Sequence, residues 1–164
     1  MRLGIGILAV MLLVGCGYRP SAHYAKAVVN DSVSTEVVVS LHDPENSVLI
    51  KDALNRAVLE RFRSSLTEKE TALTHLRLSV DTINFTPLQY NEQGYIITYR
   101  TYLSMQVLRT TKEGAKTYHS HGYYDFAIEP NAIISDQARF EAIEQCAQKA
   151  INSFIVQVAS EGAM

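Results

Sequence analysis

Several features are scarce in this chain, and each scarcity excludes something. The 164 residues contain two cysteines, Cys16 and Cys146, too few for a disulfide framework. No apolar run is long enough to cross a bilayer as a helix, which takes about 20 residues. The longest, Leu3 to Val14, is shorter and sits at the extreme N-terminus. Charge of one sign is not in excess: 15 Lys and Arg against 17 Asp and Glu leave a net charge of -2. Such a balance gives no global reason to expect a nucleic-acid partner. No G-x-S-x-G nucleophile elbow is present. The only closely spaced glycines, GIG and GCG, lie before Tyr18, where a phosphate-cradling loop would not follow a folded strand. His119 and His121 share one side of an extended segment, yet no third and fourth metal ligand stands at a convincing spacing. The sequence therefore offers no catalytic residues, no metal site and no cofactor, and it predicts a protein that is not an enzyme.

What is present begins at the N-terminus. Arg2 precedes LGIGILAVMLLV, a basic start followed by an apolar stretch of export-signal length. Leu13-Val14-Gly15-Cys16 resembles the lipobox of bacterial lipoproteins, in which small residues fit a narrow protease site and the thiol takes up a diacylglyceryl group. The resemblance implies a signal peptide over 1–15 and Cys16 as an acylated mature N-terminus. Two or more acyl chains, each contributing about 0.8 kcal/mol per buried methylene, make a stable anchor. Residues 16–34, polar and broken by Pro20, read as the lipidated N-terminus and tether. With Cys16 acylated, Cys146 is the only thiol left, and its place beside Ile143, Ala147 and Ala150 predicts a small buried hydrophobe.

Residues 35–164 suit a single domain. TEVVVSL, Thr35 to Leu41, is a β-branched run that predicts a strand. Ile50, Leu54, Val58, Phe62 and Leu66 then recur every four residues, with Ala53 and Ala57 widening the stripe, which predicts an amphipathic helix. Leu76, Leu78 and Val80 alternate with polar residues in a second strand, expected to end at Pro87. The longest extended run is YIITYRTYLSMQVLR, followed by the turn TTKEGA and an antiparallel partner, KTYHSHGYYDFAI. Ser135 and Asp136 open a last helix whose stripe is Phe140, Ile143, Ala147, Ile151, Phe154 and Val158. Two amphipathic helices need one apolar surface to cover. The predicted fold is α+β, with both helices on one face of a mixed or antiparallel sheet of about four strands.

The other face of that sheet carries the candidate partner-binding residues. Ile96, Tyr102 and Leu108 fall on the side of the long strand away from Leu103, Met105 and Val107, beside Thr98 and Arg100, and the neighbouring strand adds Tyr123. Aromatic side chains with a flat body and a polar tip are enriched at interfaces.

The order of these parts resembles the LptE family of lipopolysaccharide-assembly lipoproteins, also called the rare lipoprotein B family. The resemblance is carried by CGYRP at Cys16 to Pro20, HDPENSVLIKDALNRAVLERF, YNEQGYIITY at Tyr90 to Tyr99, and the closing DQARFEAIEQCAQKAINSFI. It implies a lipoprotein anchored on the periplasmic side of the cell outer membrane, partnering a large β-barrel, LptD, in lipopolysaccharide transport and assembly. Gly17, rather than aspartate, follows the cysteine, so the usual inner-membrane retention cue is lacking. Arg100, Lys112 and Lys116 are the basic candidates for contact with lipopolysaccharide. The alternative from another class is an auxiliary lipid-binding lipoprotein of an ABC-type lipid transport system, which would require an internal apolar cavity.

Overall fold

The computed structural model describes residues 28–38, 44–130 and 132–163. The expected signal peptide, the lipobox with Cys16 and most of the expected tether lie outside the described residues. The described elements are β1 (Ser32–Val37), α1 (Pro44–Glu60), β2 (Ser65–Leu66), β3 (Thr74–Tyr90), β4 (Ile96–Thr111), β5 (Gly114–Ala127) and α2 (Asp136–Gly162). They form a five-stranded mixed sheet in the order β2-β1-β3-β4-β5. β1 runs parallel to β2 and β3, whereas β3, β4 and β5 form antiparallel hairpins. The α+β class is as the sequence predicts, with one short edge strand more.

Register places both helices on one face. Thr35 lies opposite Leu76, Leu78 opposite Val107, Val107 opposite Tyr118 and Leu103 opposite Gly122, so these residues share a side of the sheet. α1 reaches that side through Asn55, whose Oδ1 accepts from the Thr35 hydroxyl at 2.5 Å. α2 reaches it at Gly122, and the stripe residues Ile50, Leu54 and Val58 of α1 and Ile143, Ala147, Phe154 and Val158 of α2 are buried there. The Phe154 ring is the meeting point, edge-on to Phe62 at 6.0 Å and to Tyr118 at 5.3 Å between centroids. Cys146 is fully buried, its thiol donates to the Thr101 carbonyl at 3.3 Å, and burial pushes its pKa up to about 11.

Three boundaries differ from the sequence-based expectation, each for a local reason. The first strand starts at Ser32 and ends at Val37. Val29 and Val33 are fully buried, so packing reaches into the segment expected to be tether. Helix α1 stops at Glu60 because Arg63 takes a left-handed backbone (φ 53°), and the chain turns with the Phe62 and Ser64 amides bonded back to Ala57 and Val58. Phe62 stays in the core, but Leu66 leaves the helical stripe for the two-residue strand β2. Strand β3 runs through Pro87 to Tyr90. Its pairing with β1 ends at Leu78, so over Pro87 it is an edge, where a residue without an N–H is tolerated.

The end of α2 carries a buried-edge ion network. Glu161 accepts from Arg109 and Lys116, each at 2.8 Å, and from the Tyr118 hydroxyl at 2.5 Å. Acidic charge near a helix C-terminus opposes the helix dipole, and no basic residue lies in the last turn, so β4 and β5 supply the cations. Arg109 also donates to the Val28 carbonyl at 3.1 Å, which ties the start of the described chain to the same point. Burial would raise the Glu161 carboxyl, but hydrogen bonds from Lys116 and Tyr118 and the charge of Arg109 outweigh it and hold the pKa at about 2. Burial and the bond to Glu161 raise the Tyr118 hydroxyl in turn.

Two stability predictions follow from this packing. A Cβ on Gly122 would lie 2.2 Å from the Cys146 carbonyl oxygen and 2.7 Å from the Ala150 nitrogen, both backbone atoms that cannot yield separately. Gly122→Ala should therefore lower the thermal midpoint by the equivalent of about 1–3 kcal/mol or more; an unchanged melt would show that α2 does not seat this closely. For Glu161 the folded pKa lies below the ordinary 4.5, so its contribution is full above that pH and is lost as pH falls towards 2. Chemical denaturation from pH 6 to 2 should show the gap between wild type and Glu161→Gln closing over that window. A gap that stayed constant would contradict the network.

Candidate interaction surface

The face of the sheet turned away from the helices is built by alternation. Residues whose neighbours along β4 and β5 point into the core point out here: Thr98, Arg100, Tyr102, Ser104, Gln106 and Leu108 on β4, and Thr117, His119, His121, Tyr123 and Asp125 on β5. Tyr102 lies directly opposite Tyr123, and both remain open, at 39% and 53% exposure. The Tyr102 ring stacks on His121 at 5.9 Å, and the Arg100 guanidinium sits 5.0 Å above the Tyr123 ring. Arg100 is held by a bidentate pair to Asp125, with both bonds 2.7 Å long. That bonding raises the Arg100 pKa and, against the opposing pull of burial, lowers that of Asp125. The result is a pre-ordered patch of two tyrosines, an imidazole and one ion pair on rigid strands.

The sequence-predicted residues divide into those the fold gathers and those it spreads. Tyr102, Tyr123 and Arg100 are adjacent. Ile96 and Leu108 share their face but lie six positions to either side of Tyr102, about 20 Å along a strand. Leu108 is 37% exposed and borders a shallow depression with Val38, Arg77, Ser79, Gln106 and Thr117. The three basic candidates are not one cluster. Arg100 is on the open face and paired to Asp125, Lys116 is on the helix side and paired to Glu161, and Lys112 is in the β4–β5 turn.

Three features of the open face and its ends escape the sequence reading. His121 and Asp125 complete the tyrosine patch, a fact that only the β4–β5 register reveals. A second polar cluster sits on the same face near β1, where His75 bridges Ser34 (2.8 Å) and Glu36 (3.2 Å), with Lys69 and Arg77 also beside Glu36. The β3–β4 hairpin projects Leu88, Tyr90 and Tyr95 into solvent at its tip. Asn91 Oδ1 shapes that turn by accepting from the Gln93 and Tyr95 amides. Its base is braced by Phe126, stacked on Tyr99 and edge-on to Phe85. The expectation that Pro87 ends the strand hides this tip. Among the described residues no group of three or more His, Cys, Asp or Glu side chains is placed to hold a metal ion. No described helix is long and apolar enough to cross a membrane.

The fold has counterparts among solved structures, three of them bacterial lipoproteins. A candidate lipoprotein from Caulobacter crescentus superposes with a TM-score of 0.56 at 13% identity, over 87% of this chain and 98% of its own. An uncharacterized lipoprotein B from Nitrosomonas europaea gives 0.53 at 11% identity, covering 81% and 84%. A minor lipoprotein from Acinetobacter baumannii gives 0.53 at 10%, covering 82% and 94%. No curated protein matches the chain. Residues 35–158 match the family described as LptE: Lipopolysaccharide-assembly, a span that includes all but the start of β1 and the last residues of α2. The chain belongs to the LptE lipopolysaccharide-assembly family.

Proposed function

We propose that this protein is a non-enzymatic lipoprotein of the outer membrane, anchored through Cys16 on its periplasmic side, that partners an LptD-like β-barrel in placing lipopolysaccharide. Family membership supports the assembly role. The observation that carries the partner surface is the two-sided sheet. One face is consumed by α1 and α2, while the other presents Tyr102 and Tyr123 beside the Arg100–Asp125 pair on rigid strands. The outward sides of the helices carry solvated charged residues such as Arg56, Glu60 and Glu141, with the single exposed aliphatics Val48, Leu59 and Val156 among them and no aromatic pair. A barrel lumen is polar rather than apolar, and it suits a surface that mixes aromatic rings with hydrogen-bonding groups. Aromatic residues at the centre of an interface commonly cost about 2 kcal/mol or more when truncated.

The expected outcome is that Tyr102→Ala combined with Tyr123→Ala weakens co-purification of the barrel from native membranes and leaves the melting of the isolated protein nearly unchanged. Substitution of Arg56 and Glu60 should have little effect. The reverse pattern would place the interface on the helices. Cys16→Ala should move the protein from the membrane to the soluble fraction without unfolding it. Intact mass of the membrane-extracted protein should show acyl chains on a mature chain starting at Cys16, and a free Cys16 thiol on an uncleaved chain would overturn the anchor.

A further inference from the structure

The basic residues that the fold does bring together lie at the β1 side of the open face. Ser34 pairs in register with His75, and Glu36 with Arg77. Three nitrogen donors converge on the Glu36 carboxylate: His75 Nε2 at 3.2 Å and Lys69 Nζ at 3.6 Å from Oε2, and Arg77 Nε at 3.5 Å from Oε1. The Ser34 hydroxyl meets the other ring nitrogen at 2.8 Å. In the neutral ring Ser34 therefore donates to Nδ1, and Nε2 carries the proton that faces the carboxylate. Only the contact with His75 is short enough for a hydrogen bond. The other two are loose ion pairs from side chains more than half exposed, a kind of pair that water exchanges readily. The Glu36 side chain is itself 41% exposed, so its carboxylate can turn into water without moving the strand. Arg100 and Lys116, by contrast, hold their carboxylates at 2.7 and 2.8 Å. Arg77 also borders the depression of about 320 Å³ that contains Val38, Gln106 and Leu108. Arg77 pairs with Leu108 and Leu108 with Thr117, so this depression runs across the strands directly from the three donors. Val38 and Leu108 give it two exposed aliphatic side chains.

We propose that Lys69, His75 and Arg77 form a binding site for the phosphate monoester of an amphiphile, a site that Glu36 occupies in the free protein. The depression between Val38 and Leu108 then takes the first part of the apolar chain. A phosphate monoester brings three acceptor oxygens and close to two negative charges, against two oxygens and one charge for a carboxylate. Each of the three donors then has an oxygen of its own, and Glu36 swings out. A phosphodiester has two free oxygens and one charge, which gives it no advantage over the residue already there. Guanidinium and ammonium groups are the usual partners of phosphate. Burial would raise the Glu36 carboxyl, yet the bond from His75 and the charges of Arg77 and Lys69 hold it below its ordinary range. These groups therefore stabilise negative charge at this point. The site goes beyond the barrel reading and does not depend on it: Leu108, the register partner of Arg77, stands six positions from Tyr102, about 20 Å along the strand.

Isothermal titration calorimetry of the full chain in a neutral detergent tests the proposal, with short-chain phosphatidic acid as the probe and short-chain phosphatidylglycerol and inorganic phosphate as comparisons. Phosphatidic acid should bind, and the other two more weakly. Glu36→Gln removes the internal competitor and should tighten phosphatidic acid by about tenfold, a gain that a merely structural ion pair would not give. Lys69→Ala combined with Arg77→Ala should weaken it by about tenfold or more, with melting close to wild type because both side chains are exposed. Leu108→Ser should weaken phosphatidic acid and leave inorganic phosphate unchanged. Tyr102→Ala with Tyr123→Ala should alter none of these affinities, so the site and the barrel interface fail or stand separately. A Glu36→Gln protein that binds no more tightly than wild type, or a Lys69→Ala, Arg77→Ala protein that binds as well, overturns the site. Inorganic phosphate bound as tightly as phosphatidic acid overturns the assignment to an amphiphile.

Discussion

The structure depends on one apolar contact surface, the face of β1, β3, β4 and β5 that two helices must cover together. Neither helix can do it alone. α1 sits over β1, α2 over β4 and β5, and the seam between them is closed by the Phe154 ring against Phe62 and Tyr118. The seam needs α2 to lie almost on the backbone of β5, and Gly122 makes the room: even a methyl group there would collide with the Cys146 carbonyl. From that seating follow the burial of Cys146 and the position of Glu161 beside Arg109, Lys116 and Tyr118.

The same constraint assigns roles to the two faces of the sheet. Because the helices cover one side, the proposed recognition would use the other side and the hairpin that outruns the helix layer. The open face is not a scatter of polar groups. Tyr102 stacks on His121, Arg100 lies over Tyr123 and is paired bidentately to Asp125, so the proposed partner would meet side chains already engaged with one another.

Much of this was legible in the residues. Spacings of three and four residues identified the stripes of both helices. The alternation in β4 separated Leu103, Met105 and Val107 from Tyr102 and Leu108, because a strand that is apolar on one side only has a single way to face its core. The departures have physical causes that a one-dimensional pattern does not encode. Leu66 continues the four-residue spacing of α1, yet a left-handed backbone at Arg63 ends the helix before it. Pro87 signals a strand end only when both flanks are paired, and β1 pairs with β3 only as far as Leu78. The Glu161 network joins residues far apart in sequence, and no spacing announces it. The pairing of Tyr102 with Tyr123 depends on the β4–β5 register, which the turn at Gly114 sets. The basic candidates Arg100, Lys112 and Lys116 looked equivalent as a sequence but occupy three different environments.

The central claim is that the open sheet face, not the helix layer, meets the partner. Site-specific photo-crosslinking in native membranes tests it most directly, with the crosslinking residue placed at His121 in one strain and at Glu60 in another. The account predicts that a crosslinker at His121 captures an outer-membrane β-barrel, whereas one at Glu60 does not. Capture of the barrel from Glu60 alone would contradict it.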